Sequence, residues 1–202
     1  MIWFTADTHF AHANIIKYCH RPFTSVQEMD EQLVERWNSA VTPDDTVHHL
    51  GDFTLKGSDV FAACAQELNG RIRILPGSHD HTWLSEFASE SITSLSGYPV
   101  QVMPPLVSFE FPELGLGRYP QVIVLCHYAL RVWDRSHYGA WHLYGHSHGT
   151  LPSHGLSLDV GVDCHGYRPI SLDGVALRLR AAQAAAGQER GECSGDEEGV
   201  TP

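Results

Sequence analysis

The chain has 202 residues, 43% hydrophobic and 18% charged, the balance of one globular domain and not of a fibrous or wholly unfolded protein. Its formal net charge is −11 with histidine neutral, which argues against general binding to nucleic acid or to an anionic membrane, since both need a basic face. A phosphate-bearing substrate is not excluded, provided that bound cations supply the missing positive field.

Residues Ile2 to Ala6 read as a buried strand that ends at Asp7. Apolar residues at Met29, Leu33, Val34, Trp37 and Val41 have helical spacing, so a helix is expected over Glu28 to Val41, closed by Pro43. Thr46 to Leu50 is a second strand, ending at Gly51-Asp52. A short helix follows from Val60 to Leu68, stopped by Asn69-Gly70, and then a third strand from Arg71 to Leu75. Strand and helix alternate, which predicts a parallel sheet built from βαβ units.

Beyond this point short strand-like runs dominate: Val100–Met103, Leu106–Phe111, Val122–Cys126, Trp141–Tyr144, Leu156–Val162 and Val175–Leu179, separated by prolines and glycines. They predict a second, mixed or antiparallel sheet packed on the first, and an α/β fold class. From about Ala181 the chain turns Ala-, Gly- and Glu-rich. Residues 1–180 are therefore read as the domain and 181–202 as a disordered acidic tail.

The five cysteines are odd in number, widely spaced and without a CxxC pair, which fits a reducing compartment. The first six residues carry no basic leader, and no run approaches the ~20 apolar residues of a membrane span. A cytoplasmic protein with no membrane partner is expected.

The 14 histidines are the unusual feature, because bulk histidine has little structural use. Many fall just after strands. Asp7 and His9 follow the first strand, Asp52 the second, and Ser78, His79 and Asp80 the third. His127 follows Val122–Cys126, and His146 and His148 follow Trp141–Tyr144. Strand C-terminal ends form one edge of an open α/β sheet, where ligands bind. Aspartate with neutral histidine suits borderline cations such as zinc, manganese and iron. Two such ions can clamp the attacking and leaving oxygens of a phosphoryl transfer. A pair of ions needs a bridging carboxylate, and Asp52, near the middle of the set, is the natural candidate. Taken singly, each signal has a plain alternative: Gly51-Asp52 is an ordinary turn, His79-Asp80 a helix-capping pair, and His146-x-His148, whose alternate spacing on one strand face is good ligand geometry, is also common by chance.

The ordered series Asp7-Thr8-His9, Gly51-Asp52, Gly77-Ser78-His79-Asp80, His127 and Gly145-His146-Ser147-His148 resembles the calcineurin-like metallophosphoesterase superfamily, in a compact bacterial or phage form. The resemblance spans Ile2 to about Arg180. It implies a four-layer α/β/β/α sandwich of two facing mixed sheets. It further implies one divalent cation on Asp7, His9, Asp52 and His148 and a second on Asp52, position 78, His127 and His146. Manganese is the first choice among manganese, iron, zinc, nickel and cobalt. A hydroxide between the ions would be the nucleophile, and His79, oriented by Asp80, would be general acid or transition-state stabiliser. The departure is Ser78, because the family has asparagine there and a hydroxyl is a shorter, weaker ligand.

His12, His137 and Arg135 lie in polar loops and are taken as candidate contacts to substrate phosphate, although an exposed loop residue looks the same in a sequence. His48 and His49 lie inside a strand, and one of them is expected to hydrogen-bond in the core. The expected activity is hydrolysis of a small phosphate ester, a phosphodiester in preference to a monoester. The alternatives are a degenerate metal- and phosphate-binding domain with little turnover, or a phosphomonoesterase or protein phosphatase of the same family.

Overall fold

The computed structural model describes residues 1–87, 92–116, 119–152 and 154–193. The first half runs β1 (Ile2–Thr5), α1 (Ala13–Tyr18), α2 (Val26–Ala40), β2 (Thr46–His49), α3 (Ser58–Ala65), β3 (Arg71–Ile74) and α4 (His81–Glu86). The second half adds β4 (Gln101–Val102), β5 (Leu106–Leu116), β6 (Tyr119–Cys126), β7 (Trp141–Tyr144), β8 (Ser157–Asp159), β9 (Ile170–Ser171) and α5 (Leu172–Cys193). The fold is α/β, with two mixed sheets and helices.

One sheet has the order β4-β3-β2-β1-β9. Strands β1 to β4 are parallel and β9 is antiparallel to β1. Helix α2 covers its outer face with Met29, Leu33 and Trp37, which join Val47, Phe61, Ile72, Ile74 and Trp83 in one core. The start of α2 is fixed locally. Ser25 Oγ accepts from the Glu28 amide at 3.1 Å, while Glu28 Oε2 accepts from the Thr24 amide at 2.7 Å. This is a capping arrangement, and it moves the helix start ahead of the expected Glu28.

The other sheet has the order β5-β6-β7-β8, with β5 antiparallel to β6 and the remaining pairs parallel. A second core joins the sheets: Phe4, Ala6, Leu50 and Leu75 of the first pack with Ile123, Leu125, Trp141 and Leu143 of the second. Burying a side chain of this size contributes about 2 kcal/mol, so this layer holds the sheets in one relation and fixes where their strand ends meet.

Two expectations need correction. Val175–Leu179 is helical, within α5, and not a strand. Its alternating Val-x-Leu-x-Leu text suggested period two, yet Leu177 is 75% exposed while Val175, Ala176 and Leu179 are buried, which is helical spacing. The tail expected to be structureless from residue 181 instead continues α5 to Cys193, consistent with the high helix propensity of its alanines. Residues 194–202 lie outside the described residues. No helix among the described residues is long and apolar enough to cross a membrane.

Candidate metal centre

Five loops converge at the strand C-terminal ends. Loop one, after β1, is tied to loop two, after β2, by three backbone bonds: Asp7 amide to Gly51 carbonyl (3.0 Å), His9 amide to Asp52 carbonyl (3.1 Å) and Phe10 amide to Phe53 carbonyl (2.8 Å). The loop after β7 docks on loop one, where the His146 amide donates to both Asp7 oxygens at 3.1 and 2.9 Å. The loop after β3 comes closest of all. A Cβ on Gly77 would stand 2.3 Å from the Asp52 amide nitrogen and from its Oδ1, so this position tolerates no side chain. Beneath them His49 Nε2 meets Thr8 Oγ1 at 3.0 Å, which satisfies that strand histidine in the core.

Five of the residues that carry donor groups have left-handed backbone: Asp7 (φ 58), His9 (φ 52), Asp52 (φ 57), His146 (φ 65) and His148 (φ 47). Each such non-glycine residue costs about 1–3 kcal/mol and persists where the surroundings over-determine it, typically at functional sites. Here the cross-loop bonds supply that constraint.

The side chains form two clusters. The donor atoms of Asp7, His9 and His148 lie within 4.8 Å of one another, as do those of Asp52, His127 and His146. Asp52 Oδ2 stands between them, 3.3 Å from His127 Nε2 and 3.8 Å from His9 Nε2. The outer nitrogens are already committed: His127 Nδ1 lies 2.8 Å from the Leu50 carbonyl and His148 Nδ1 2.7 Å from Asp163 Oδ2. With Nδ1 protonated, the neutral form of each ring offers its opposite nitrogen to a cation, and the charged form of His127 donates from that nitrogen to Asp52 instead. His9 Nε2 is buried with no hydrogen-bond partner. Buried polar atoms are almost always satisfied, and an unpaired imidazole nitrogen beside two carboxylates fits a cation.

The electrostatics point the same way. Burial pushes Asp7 up to about 7, only partly offset by His148 and His127, so this carboxylate lacks a sufficient positive partner. Burial also pulls His9 well below its ordinary value, which keeps the ring neutral, the form that binds metal. Asp52 is held below the usual carboxylate range: burial opposes this, but the His127 hydrogen bond and the neighbouring charges outweigh it.

The other expected residues divide. The Ser78 hydroxyl donates to Asp52 Oδ1 (3.2 Å) and Oδ2 (3.0 Å). His79 bonds through its backbone amide to Asp52 Oδ1 at 2.8 Å, and its ring, 44% exposed, places Nε2 4.0 Å from Asp52 Oδ2. His12 Nδ1 lies 3.4 Å from His9 Nδ1, at the edge of the first cluster.

Asp80 does not orient His79 as expected. It is fully buried, and its Oδ2 accepts from the Asp52 and Gly77 amides, both at 2.8 Å. Its Oδ1 accepts from the Phe53 amide at 2.9 Å and from Trp83 Nε1 at 2.8 Å. Asp80 therefore holds the backbone of the Asp52 loop.

His137 and Arg135 are also misplaced by the sequence reading. Strands β6 and β7 are parallel, so the chain between them must return to the opposite edge before β7 can start. Gly139 accepts from Gln121 near the start of β6 at 3.0 Å, Arg135 pairs with Glu110 at 3.0 Å, and His137 packs on Tyr138 with ring centroids 4.1 Å apart. Both residues sit at the N-terminal edge, away from His127.

Sequence reasoning missed Arg21, Asp163 and Tyr128. Tyr128 is half-exposed and sets its ring edge-on to His127 and His146, at 4.9 and 5.0 Å. Cys19 Sγ also falls within 4.8 Å of donor atoms of His148 and Asp163. Both Asp163 oxygens are already held by Arg21, whose charge would repel a third cation there.

No family model matches the chain. Over 182 residues, 85% of this chain and 87% of the relative, it is 30% identical to the uncharacterized protein MJ1445 of Methanocaldococcus jannaschii. Over 81 residues, 39% of each chain, it is 35% identical to the gene 66 protein of Mycobacterium phage L5. Among solved structures, the protein of unknown function AQ665 from Aquifex aeolicus matches with a TM-score of 0.60 over 85% of this chain and 95% of that chain, at 21% identity, a likeness of fold alone.

Proposed function

The chain belongs to the same family as MJ1445 of Methanocaldococcus jannaschii, and from its own side chains we propose that it is a metal-dependent phosphoesterase of the calcineurin-like type, acting on a phosphodiester. The observation that carries this reading is the Asp52 carboxylate lying between two Asp/His clusters, with the buried His9 Nε2 unpaired beside it. The expected four-layer sandwich goes with the same reading. It is supported by the core shared between the sheets and by the helices on the outer face of the first.

Asp7, His9 and His148 would hold one ion and Asp52, His127 and His146 the other, with Asp52 reaching towards both. Bound there, divalent cations would supply hydroxide near neutral pH and a positive field for the phosphoryl oxygens. His79 is partly open to solvent, with its amide bonded to Asp52 Oδ1 and its Nε2 4.0 Å from Asp52 Oδ2, so its ring would be placed to give a proton to the leaving oxygen. His12, at the rim, is placed to hydrogen-bond a phosphoryl oxygen. The Arg21 side chain, bonded to the Asp7 carbonyl, is wholly buried behind the clusters. Exposed Lys56 stands near enough to His12 to disfavour its charged form, so the rim carries a cation, and the paired diester and monoester assays below decide between the two substrates.

Ser78 favours a second reading, a phosphate-binding domain with little turnover, because its hydroxyl is spent on Asp52 where the resemblance implies an asparagine ligand. One experiment separates the two. Chelator-stripped protein is assayed on bis(para-nitrophenyl) phosphate and para-nitrophenyl phosphate before and after manganese is added. Hydrolysis of the diester that appears with manganese supports the enzyme. Full activity in stripped protein refutes metal dependence, and metal binding without turnover favours the second reading.

A further inference from the structure

Behind the two clusters lies a layer of buried polar groups that touches neither cation position. The Arg21 guanidinium grips Asp163 with both ends of its fork, Nε to Oδ1 at 2.8 Å and Nη2 to Oδ2 at 2.9 Å. The same guanidinium donates to the Asp7 carbonyl at 2.7 Å and the Thr8 carbonyl at 3.0 Å, which belong to the left-handed turn of loop one. Asp163 Oδ2 meets His148 Nδ1 at 2.7 Å. One chain of bonds thus runs from the backbone of Asp7 through Arg21 and Asp163 to the ring of His148. It joins the loops that carry all three members of the Asp7, His9 and His148 cluster.

We propose that Arg21 and Asp163 are positioning residues of this centre, an inference that rests on the metal-centre reading above. Asp163 keeps the hydrogen of His148 on Nδ1 and stops the ring from turning, so that Nε2 faces the cation. Arg21 fixes Asp163 in place by two parallel bonds, a geometry lysine cannot copy. It also caps carbonyls that the left-handed turn removes from regular pairing. The other cluster has its own tether, the bond from His127 Nδ1 to the Leu50 carbonyl. Loss of Asp163 should therefore be felt at one cation position and not at both. Removing such an outer carboxylate typically costs about 10–100-fold in metal affinity.

The test is calorimetric titration of manganese into chelator-stripped unaltered protein, Asp163→Asn and Arg21→Lys, with thermal unfolding of each. The unaltered protein should bind two ions. Asp163→Asn should weaken one of them by about 10–100-fold and leave the other within about 3-fold. Arg21→Lys should weaken the same site by a smaller factor. Two sites that fill in both variants as they do in the unaltered protein overturn the positioning role and leave the centre standing. Binding of no ion by the unaltered protein overturns the metal-centre reading, and this inference with it. Should neither variant fold, nitrogen NMR of the unaltered protein at a pH where the His148 ring is neutral decides: the Nδ1–H tautomer supports the proposal, and the Nε2–H tautomer overturns it.

Discussion

Asp80 and His79 are neighbours in sequence with opposite roles in the structure, and substituting each gives opposite results. Asp80→Asn keeps the size of the side chain and replaces one oxygen by an amide nitrogen. Each oxygen of Asp80 accepts two hydrogen bonds, from the amides of Asp52 and Gly77 and from the Phe53 amide and Trp83 Nε1. Whichever oxygen is replaced, two donors then face a donor. Bonds to a charged acceptor are worth about 1.5–3 kcal/mol each, so the gross loss is about 3–6 kcal/mol. Part of it is returned, because burial already holds the Asp80 carboxyl above its ordinary pKa and removing the charge relieves that cost. A net destabilisation of about 2–4 kcal/mol is expected, large against the total of about 5–15 kcal/mol for a typical domain. His79→Ala, by contrast, removes a ring that is 44% exposed and should change stability by less than about 0.5 kcal/mol while lowering turnover. Urea unfolding of the chelator-treated proteins at neutral pH measures both. Equal losses for the two variants, or a loss under about 1 kcal/mol for Asp80→Asn, would refute the assignment of Asp80 to the loop backbone.

Asp52→Asn should lower bound metal and diester turnover together, read by elemental analysis and assay on the same sample; unchanged stoichiometry would remove Asp52 as the shared ligand. Ser78→Asn should tighten the weaker of two manganese sites and raise turnover most at low manganese, a gain that titration calorimetry and rate measurements would show in parallel. Asp30 accepts from the Ala11 amide at 3.0 Å, and burial pushes its pKa from 3.8 up to about 6. Because the folded value is raised, ionising Asp30 disfavours the fold: the cost is absent below pH 3.8 and grows as pH rises through about 6. Asp30→Asn should therefore raise the melting temperature in mildly alkaline buffer, by the equivalent of about 1 kcal/mol after allowance for solvent screening, and have no effect in acid. An equal gain at both pH values would show that the charge is not its source.

The strands of the first sheet and the positions of the donor residues were legible because two signals coincide there. An apolar run ends, and a glycine or aspartate follows within two residues, as at Leu50-Gly51-Asp52 and Leu75-Pro76-Gly77. What failed did so for definite reasons. Residues Val175 to Leu179 satisfy both a two-residue and a helical period, and the interface between the sheets, which buries Val175 and Leu179 but not Leu177, chose the helix. The polar loop that holds Arg135 and His137 directly precedes β7, the strand that leads to His146 and His148. In a parallel pair the segment before a strand lies at the far edge, so nearness in sequence meant distance in space. Arg21 and Asp163 belong to none of the Asp and His motifs that mark the two clusters. They are 142 residues apart, and nothing in the text around either anticipates the pairing.

The spacing of His146 and His148 also fits two residues on one strand face, a geometry that would send both rings to the same side. The chain leaves the strand at Tyr144, and both histidines have left-handed backbone, φ 65 and 47. That conformation is disfavoured for a residue with a Cβ, and it is imposed here by the bonds from the His146 amide to Asp7 and from His148 Nδ1 to Asp163. Its consequence is that His146 joins Asp52 and His127 while His148 joins Asp7 and His9. One three-residue turn therefore serves both clusters, and the same turn is what brings them close enough for a single carboxylate, Asp52, to stand between them. The strain and the two-cluster geometry have one cause, which a reading by strand periodicity cannot contain.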